Sequence, residues 1–458
     1  PGIWQGLAYP FSVSSSYFIV LATDRIGKRL IKLITGGETK MGMTMSEKIL
    51  ARHAGVDSVK PGDTVTCKVD WAVCHDMFFN VDGQDIYRQV EHIDHPERCA
   101  VLLDHAVPAP TTRDALGAVY AREFVKKHGI RNFIDIGDHA IIHQAMAERG
   151  FAAPGRLLAA ADSHTCSSGA LNCAARGFGP ADVTYLFCTG ETWYQVAPTI
   201  LYKLTGQLPK GVTGKDVFLY MAGVYGDVTG HSVEFSGPGV AALSIAQRQS
   251  ISTMCAEINA EFAIFPCDER LREYLKERGD TEIDAVSPDE DAVYADVREI
   301  DLSKLVPYVA KPHVIPNNCV PVTEVEGMEV NQVMLGSCSN GRIEDLQLAA
   351  DMIKGRHVAD GVRFIVTPAS QRIYLEAVKR GIVETLVEAG AVVTNATCGC
   401  CYGGHMGMLG PGERCLATTT RNFKGRMGAS DSEVLLSGPA TATATAITGV
   451  ITDPRKMM

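Results

Sequence analysis

The sequence predicts an α/β protein built on parallel sheets, and two observations carry that prediction. The last third alternates apolar strands with helices: "VNQVMLG", "IEDLQLAADMIKG", "VRFIVTP", "SQRIYLEAVKRGIVETLVEAG", then "AVVTNA". Strands joined by helices in this way run parallel, because each helix carries the chain back across the sheet. Nearer the front, "NFIDI" (132–136) and "GRLLAAADSHT" (155–165) are apolar runs that end on polar tips. Buried parallel strands have that pattern, and sites gather at their carboxyl ends. With 458 residues, 46% hydrophobic and 21% charged, the chain has length for roughly two to four domains.

Taken in order, residues 1–40 read as a leader or upstream segment of doubtful function, with apolar clusters around "SVSSS". A helix is expected next. Thr44 or Ser46 can cap it, Glu47 stands three residues after Thr44, and Ile49, Leu50 and His53 continue at helical spacing. Residues 41–199 are expected to form a first α/β domain and residues 200–325 a second. Helices are expected there in "GVTGKDVFLYMAGVYG" and, as one long stretch, in "SIAQRQSISTMCAEINAEFAIF". Residues 303–325, rich in proline and polar side chains, are expected to run as a linker or wrapping loop. Residues 326–458 form a third α/β domain, closing with a small-residue helix in "ATATATAI" (440–447). Cys338 falls just past one strand of this domain and Cys398 just past another.

The net charge of −10 provides no global basic field for nucleic acid. No apolar run approaches the ~18–20 residues that span a bilayer. The 14 cysteines are spread through strand-like and helix-like segments, which suits small buried thiols in a reducing, cytoplasmic setting. The exception is "NATCGCCYGGH" (395–405), with Cys398, Cys400 and Cys401 together. Zinc could take Cys338, Cys398, Cys401 and His405. A redox pair is disfavoured, because the glycine-rich flank cannot start the helix such a pair opens. An electron-transfer cluster wants four protein ligands. Here the natural set is three, and an iron left without a protein ligand is a Lewis acid with a free position.

Four segments together, "DSHTCSSGA", "GSCSNGRIEDL", "CGCCYGG" and "TTTRNFKGRMG", resemble the aconitase superfamily, and within it the isopropylmalate isomerase large subunits. The resemblance runs from about Met41 to the end of the sequence. It implies three α/β/α domains around a central iron–sulfur cleft, a [4Fe-4S] cluster on Cys338, Cys398 and Cys401, and Cys400 as a bystander or an alternative ligand. It implies catalytic roles for Asp104, His105, His143, Asp162, His164 and Glu257, and substrate binding by Ser163, Arg421 and Arg426. The implied activity is a hydro-lyase that isomerises a 2-hydroxy diacid by dehydration and rehydration, as in leucine biosynthesis. Related substrates (homocitrate, citrate, a methylated malate) and a cluster-less RNA- or protein-binding relative are the alternatives.

The chemistry asks for these residue types. Hydroxide leaves poorly, so a Lewis acid polarises it and an imidazolium protonates it. Carboxylates beside histidines fix tautomers and raise basicity. Arginines grip carboxylates in a planar fork. Singly, each residue has a plainer reading: Asp162 as a turn cap, Arg426 in a surface ion pair. Their joint occurrence with three ordered cysteines reverses that. The sequence also departs from the family pattern. Thr253 and Thr420 stand where asparagines are usual, and Asn259 where glycine is usual. The family's fourth, swivelling domain, which supplies a serine base, has no counterpart before the final "DPRKMM". A small swivel-domain subunit is therefore the expected partner.

Overall fold

A computed structural model describes residues 42–79 and 85–458; the expected leader, residues 1–40, lies outside them. Helix α1 (Met45–Ala54) starts as its sequence demands. The Thr44 hydroxyl accepts from the Glu47 N–H, and the Glu47 carboxylate accepts from the Thr44 N–H.

The first sheet contains β1 (Trp71–His75), β2 (Cys99–Leu102), β3 (Asn132–Ile134), β4 (Leu157–Ala160) and β5 (Ala174–Gly177). All pairings are parallel, in the order β3-β2-β1-β4-β5. Every residue of β2 and of β4 is buried, which is why these strands read as unbroken apolar runs rather than alternating ones. Helix α2 (Ile142–Glu148) carries the chain from β3 to the other side of β1. The direction of winding therefore reverses between β1 and β4, the place where such sheets open a crevice.

The second sheet is also parallel. It holds β6 (Thr199–Thr205), β7 (Ser232–Ser236), β8 (Ala263–Ile264) and β9 (Asp296–Asp301) in the order β8-β7-β6-β9. Helices α3 (Gly214–Val224) and α4 (Ile245–Met254) connect its strands. The long helix expected through residue 265 is shorter. It passes into a 3-10 turn at Cys255–Ile258 and stops at Asn259, whose φ is 61°. Asparagine is one of the few residues that tolerates this left-handed backbone, so it can stand where the family places glycine.

The third sheet orders its strands β11-β10-β16-β15-β12-β13-β14. They are β10 (Tyr308–Ala310), β11 (Cys319–Pro321), β12 (Gln332–Gly336), β13 (Arg363–Thr367), β14 (Val392–Val393), β15 (Arg414–Ala417) and β16 (Glu433–Ser437). β12 to β16 are mutually parallel, while β10 and β11 add an antiparallel edge. Residues 303–325 are thus not a plain linker: their apolar pieces, "YVA" and "CVP", close one side of this sheet. The helix expected after β13 is two, α6 (Gln371–Lys379) and α7 (Ile382–Glu388), divided at Gly381 with φ 72°. Helix α5 (Ile343–Ile353) and the small-residue helix α8 (Pro439–Thr448) pack on each other, and α8 also lies on β12. Winding reverses between β12 and β15, which sets a second crevice at the ends of those two strands.

Candidate active site

Three strand ends of the first sheet supply the acid–base groups. β1 runs out into His75 and Asp76, β2 into Asp104 and His105, and β4 into Asp162, Ser163 and His164. The Asp76 carboxylate accepts from the backbone N–H groups of His105 (3.1 Å) and Ala106 (2.8 Å), so the β1 tip fixes the β2 tip. Asp104 is fully buried. It accepts from His105 Nδ1 at 2.7 Å and from the Ile142 N–H at 2.8 Å. The His75 ring stacks on the His105 ring at 4.2 Å. Its Nε2 donates to the Ala161 carbonyl and its Nδ1 accepts from the Met77 N–H, which makes it the neutral tautomer.

Asp162 organises the second group. Its Oδ1 accepts from His143 Nε2 and from the His164 N–H, each at 2.8 Å. The His164 Nε2 then meets Glu257 Oε1 at 2.6 Å. The same carboxylate oxygen accepts from Arg421 Nε at 2.8 Å, and Arg421 Nη2 donates to Ser163 Oγ at 2.9 Å.

Burial opposes charge throughout; it prevails at His75, which is lowered, and at Asp76, which is raised, while partners outweigh it at the other groups. Burial alone would lower His105, but the Asp104 carboxylate and the Cys398 thiol hold it well above the ordinary imidazole range. His164 is raised against burial by Asp162 and Glu257. Asp162, pushed up by burial, ends well below the carboxylate range because His143 and His164 face it. Glu257 is lowered in the same way by His164 and Arg421. The geometry therefore favours the protonated imidazole at His105 and His164 and the ionised carboxylate at Asp162 and Glu257.

The cysteines arrive from the third sheet. β12 ends at Gly336 (φ 146°), Ser337 takes φ 70°, and Cys338 follows. Its carbonyl accepts from Arg342 Nη2 at 2.8 Å, and Nη1 takes the Ser339 carbonyl. Cys398 is stapled to the β2 tip: its N–H donates to the Asp104 carbonyl (3.1 Å), and the Thr397 hydroxyl donates to the His105 carbonyl (2.9 Å). The Cys401 carbonyl accepts from Arg426 Nε at 2.8 Å. One pocket is lined by Cys338, Cys398 and Cys401 together with His105, His143, Asp162, His164, Tyr402, Thr420 and Arg426. Cys400 and His405 are not among its walls. Cys400 lies in the apolar core, and His405 Nε2 meets the His105 carbonyl, which removes the imidazole from the zinc set considered above.

The donor set fits an iron–sulfur cluster. Burial, and then Cys401 and Cys398, push Cys338 well up, whereas the Arg426 guanidinium holds Cys401 below the ordinary thiol range despite burial; the cationic core of a bound cluster would offset the thiolate charge. Of the two threonines in asparagine positions, Thr420 lines the pocket with its hydroxyl 3.9 Å from Cys401 Sγ. The Thr253 hydroxyl turns back to the Gln249 carbonyl of its own helix. Sequence reasoning missed His75, Asp76, Tyr402, Arg342 and Lys215. His75 and Asp76 follow the apolar "WAVC" just as Asp104 and His105 follow "CAVLL", so the strand-tip rule could have found them. Lys215 left no such signal, standing beside Asp216 in the first turn of an otherwise apolar helix.

Comparison with known proteins agrees with this arrangement. The model of the aconitase family (aconitate hydratase) matches residues 47–326 and 318–449. A 3-isopropylmalate dehydratase large subunit from Mycolicibacterium smegmatis is 50% identical over 91% of this chain and 98% of its own. A 3-isopropylmalate dehydratase large subunit 1 from Methanopyrus kandleri is 45% identical over 91% and 99%. The holo-form of Thermococcus kodakaraensis aconitase X aligns over 88% of this chain and 93% of its own at TM-score 0.45 and 10% identity, too distant to bear on the site. With its family model matched along most of its length and its relatives matched nearly end to end, the chain belongs to the aconitase family.

Proposed function

We propose that the chain is the large subunit of a 3-isopropylmalate dehydratase, interconverting 2- and 3-isopropylmalate through an alkene in leucine biosynthesis. The observation that carries this reading is one pocket in which three cysteines meet His105, His143, Asp162 and His164, with Asp104 bonded to His105 and Glu257 to His164. The identity to the two named relatives supports the substrate.

In this reading Cys338, Cys398 and Cys401 hold a [4Fe-4S] cluster. When bound, the cluster supplies a Lewis acid for the departing hydroxyl. His105, kept protonated by Asp104, donates a proton to that hydroxyl as its C–O bond breaks, so water leaves. Arg421 and Arg426 bind the substrate carboxylates, with Ser163 and Glu257 fixing Arg421. The proton lost from the neighbouring carbon goes to a base on a small, swivelling partner subunit, and rehydration reverses the steps at the exchanged positions. The relatives' designation as large subunits supports a separate partner. The proposed domains are 41–199, 200–325 and 326–458, and the proposed location is the cytoplasm. All 14 cysteines are free, and no described helix is long and apolar enough to cross a membrane.

Anaerobically prepared protein tests the cofactor directly. It should be brown and hold about four irons per chain, as cluster stoichiometry requires. Cys338→Ser, Cys398→Ser and Cys401→Ser should each lose the iron, and Cys400→Ser should keep it. Colourless protein with one tightly held zinc would sink the reading.

A further inference from the structure

The site buries a cation that no anion meets. Lys215 projects from the first turn of α3 and is 0% exposed. Its Nζ donates to Ser339 Oγ (3.0 Å) and to the carbonyls of Thr419 (2.7 Å) and Thr418 (3.2 Å), with Met254 Sδ at 3.1 Å. These acceptors are all neutral. Among the described residues no carboxylate lies within ion-pair distance of Nζ: Asp216 is turned to Thr213 and to the Tyr308 N–H, and Glu257 to His164 and Arg421. A buried, unpaired ammonium is costly, and hydrogen bonding alone does not call for one. Its contacts show where the missing anion belongs. Ser339 directly follows Cys338 past the end of β12. Thr418 and Thr419 lead from the end of the adjacent β15 into Thr420, which lines the cysteine pocket.

We propose that Lys215 is the internal counter-cation of the thiolate–cluster assembly. It offsets the negative charge of three thiolates and their cluster, and so raises the reduction potential and strengthens iron retention. The inference rests on the cluster reading above. Lys215 touches neither substrate nor iron ligand side chain and acts through the cluster, as a positioning residue. Charge and hydrogen bonding near a cluster are the terms that set its potential. Reduction adds one electron to an already anionic group, so a fixed positive charge nearby stabilises the reduced form more than the oxidised one.

The test compares Lys215→Met and Lys215→Gln with the wild-type protein. Gln keeps a donor and removes the charge. Met254→Leu serves as the control that loses a contact and no charge. Reconstituted proteins are titrated spectroelectrochemically and challenged with a chelator; the apoproteins are melted separately. Both Lys215 variants should show a lower midpoint potential and an iron affinity reduced about 10–100-fold, the range for a group that supports metal ligands without binding the metal. Their apoproteins should melt no lower than wild type, because the unpaired charge has gone. Met254→Leu should leave the potential where it was. An unchanged potential in both variants, or apoproteins that melt lower or fail to fold, would make Lys215 a structural tether and overturn the proposal. Wild-type protein that takes up no iron would instead defeat the cluster reading, a separate outcome.

Discussion

The carboxyl groups of this protein divide by what faces them, and the division predicts opposite behaviour. Asp162 lies among imidazoles and ends well below its usual range. Asp162→Asn should therefore keep the pocket's shape yet lose the anion that holds His143 and His164, and His105→Ala should lose the proton donor. Each should cost on the order of 10²–10⁴-fold in turnover while iron content holds; near wild-type rates would return both residues to structure. Glu234 is the contrary case. It is fully buried in β7, accepts from the Ser46 N–H and the Tyr294 hydroxyl, and faces no cation, so burial pushes it up to about 7. Between about 4.5 and 7 the unfolded chain has released this proton and the folded one retains it. The folded state then binds more protons, and stability falls as pH rises through that window. Glu234→Gln keeps an acceptor for Ser46 and offers a donor to Tyr294. It should flatten this part of the pH profile, with a gain on the order of 2–3 kcal/mol at pH 8 that disappears near pH 4.5. Melting temperatures of the two proteins across pH 4.5–8 check it, and parallel curves would refute the assignment.

At the scale of elements, the site depends on backbone that only certain residues allow. Gly336 ends β12 at φ 146°, and a Cβ there would stand 2.3 Å from the Thr367 carbonyl of β13. Gly336→Ala must open the β12–β13 pairing or rotate the turn, and Cys338 lies two residues on. The expected outcome is a folded protein whose iron content falls sharply; full iron occupancy in that variant would show that the turn tolerates the change. The same constraint explains how far the elements could be read from sequence. α1 was legible because Thr44 and Glu47 form a local capping box, and β2 and β4 because burial on both faces leaves an unbroken apolar run. The break at Gly381 was hidden, because the apolar period continues across it from Ile373 to Leu386 and only the φ of 72° ends the helix. Residues 303–325 misled for the opposite reason. Short edge strands of three residues each carry too little pattern to outweigh the prolines around them. Asp162 was legible as a polar tip on an apolar strand, and Asp104 and His105 through the family resemblance. Lys215 and Arg342 were not, since their roles arise from elements brought together by tertiary packing.

For the molecule as a whole, the question is whether this chain completes the reaction alone. The pocket gathers three histidines, the Asp162 carboxylate, Arg426 and three thiols, yet in the proposed reaction elimination also needs an acceptor for the proton on the neighbouring carbon. Two serines stand near enough to be considered, and both are engaged. The Ser163 hydroxyl accepts from Arg421 Nη2 at 2.9 Å, and a hydroxyl beside a guanidinium can lose its proton, but this one fixes the arginine assigned to the substrate. The Ser339 hydroxyl donates to Asn340 Oδ1 at 2.8 Å and accepts from Lys215 Nζ at 3.0 Å, and it is fully buried. Two relatives that this chain spans for 98% and 99% of their length carry the designation large subunit. The expected outcome is that cluster-loaded chain alone binds a hydroxy diacid without turning it over, and that a small subunit from the same genome restores turnover. The measurement is alkene formation from 2-isopropylmalate, followed at its ultraviolet absorbance, with and without that subunit. Full activity of the lone chain would place the base among the residues described here, with Ser163→Ala the first variant to test. Restoration with homocitrate or a methylmalate in place of 2-isopropylmalate would keep the acid, the thiols and the partner, and would move the substrate assignment to the groups that surround the side chain of the diacid.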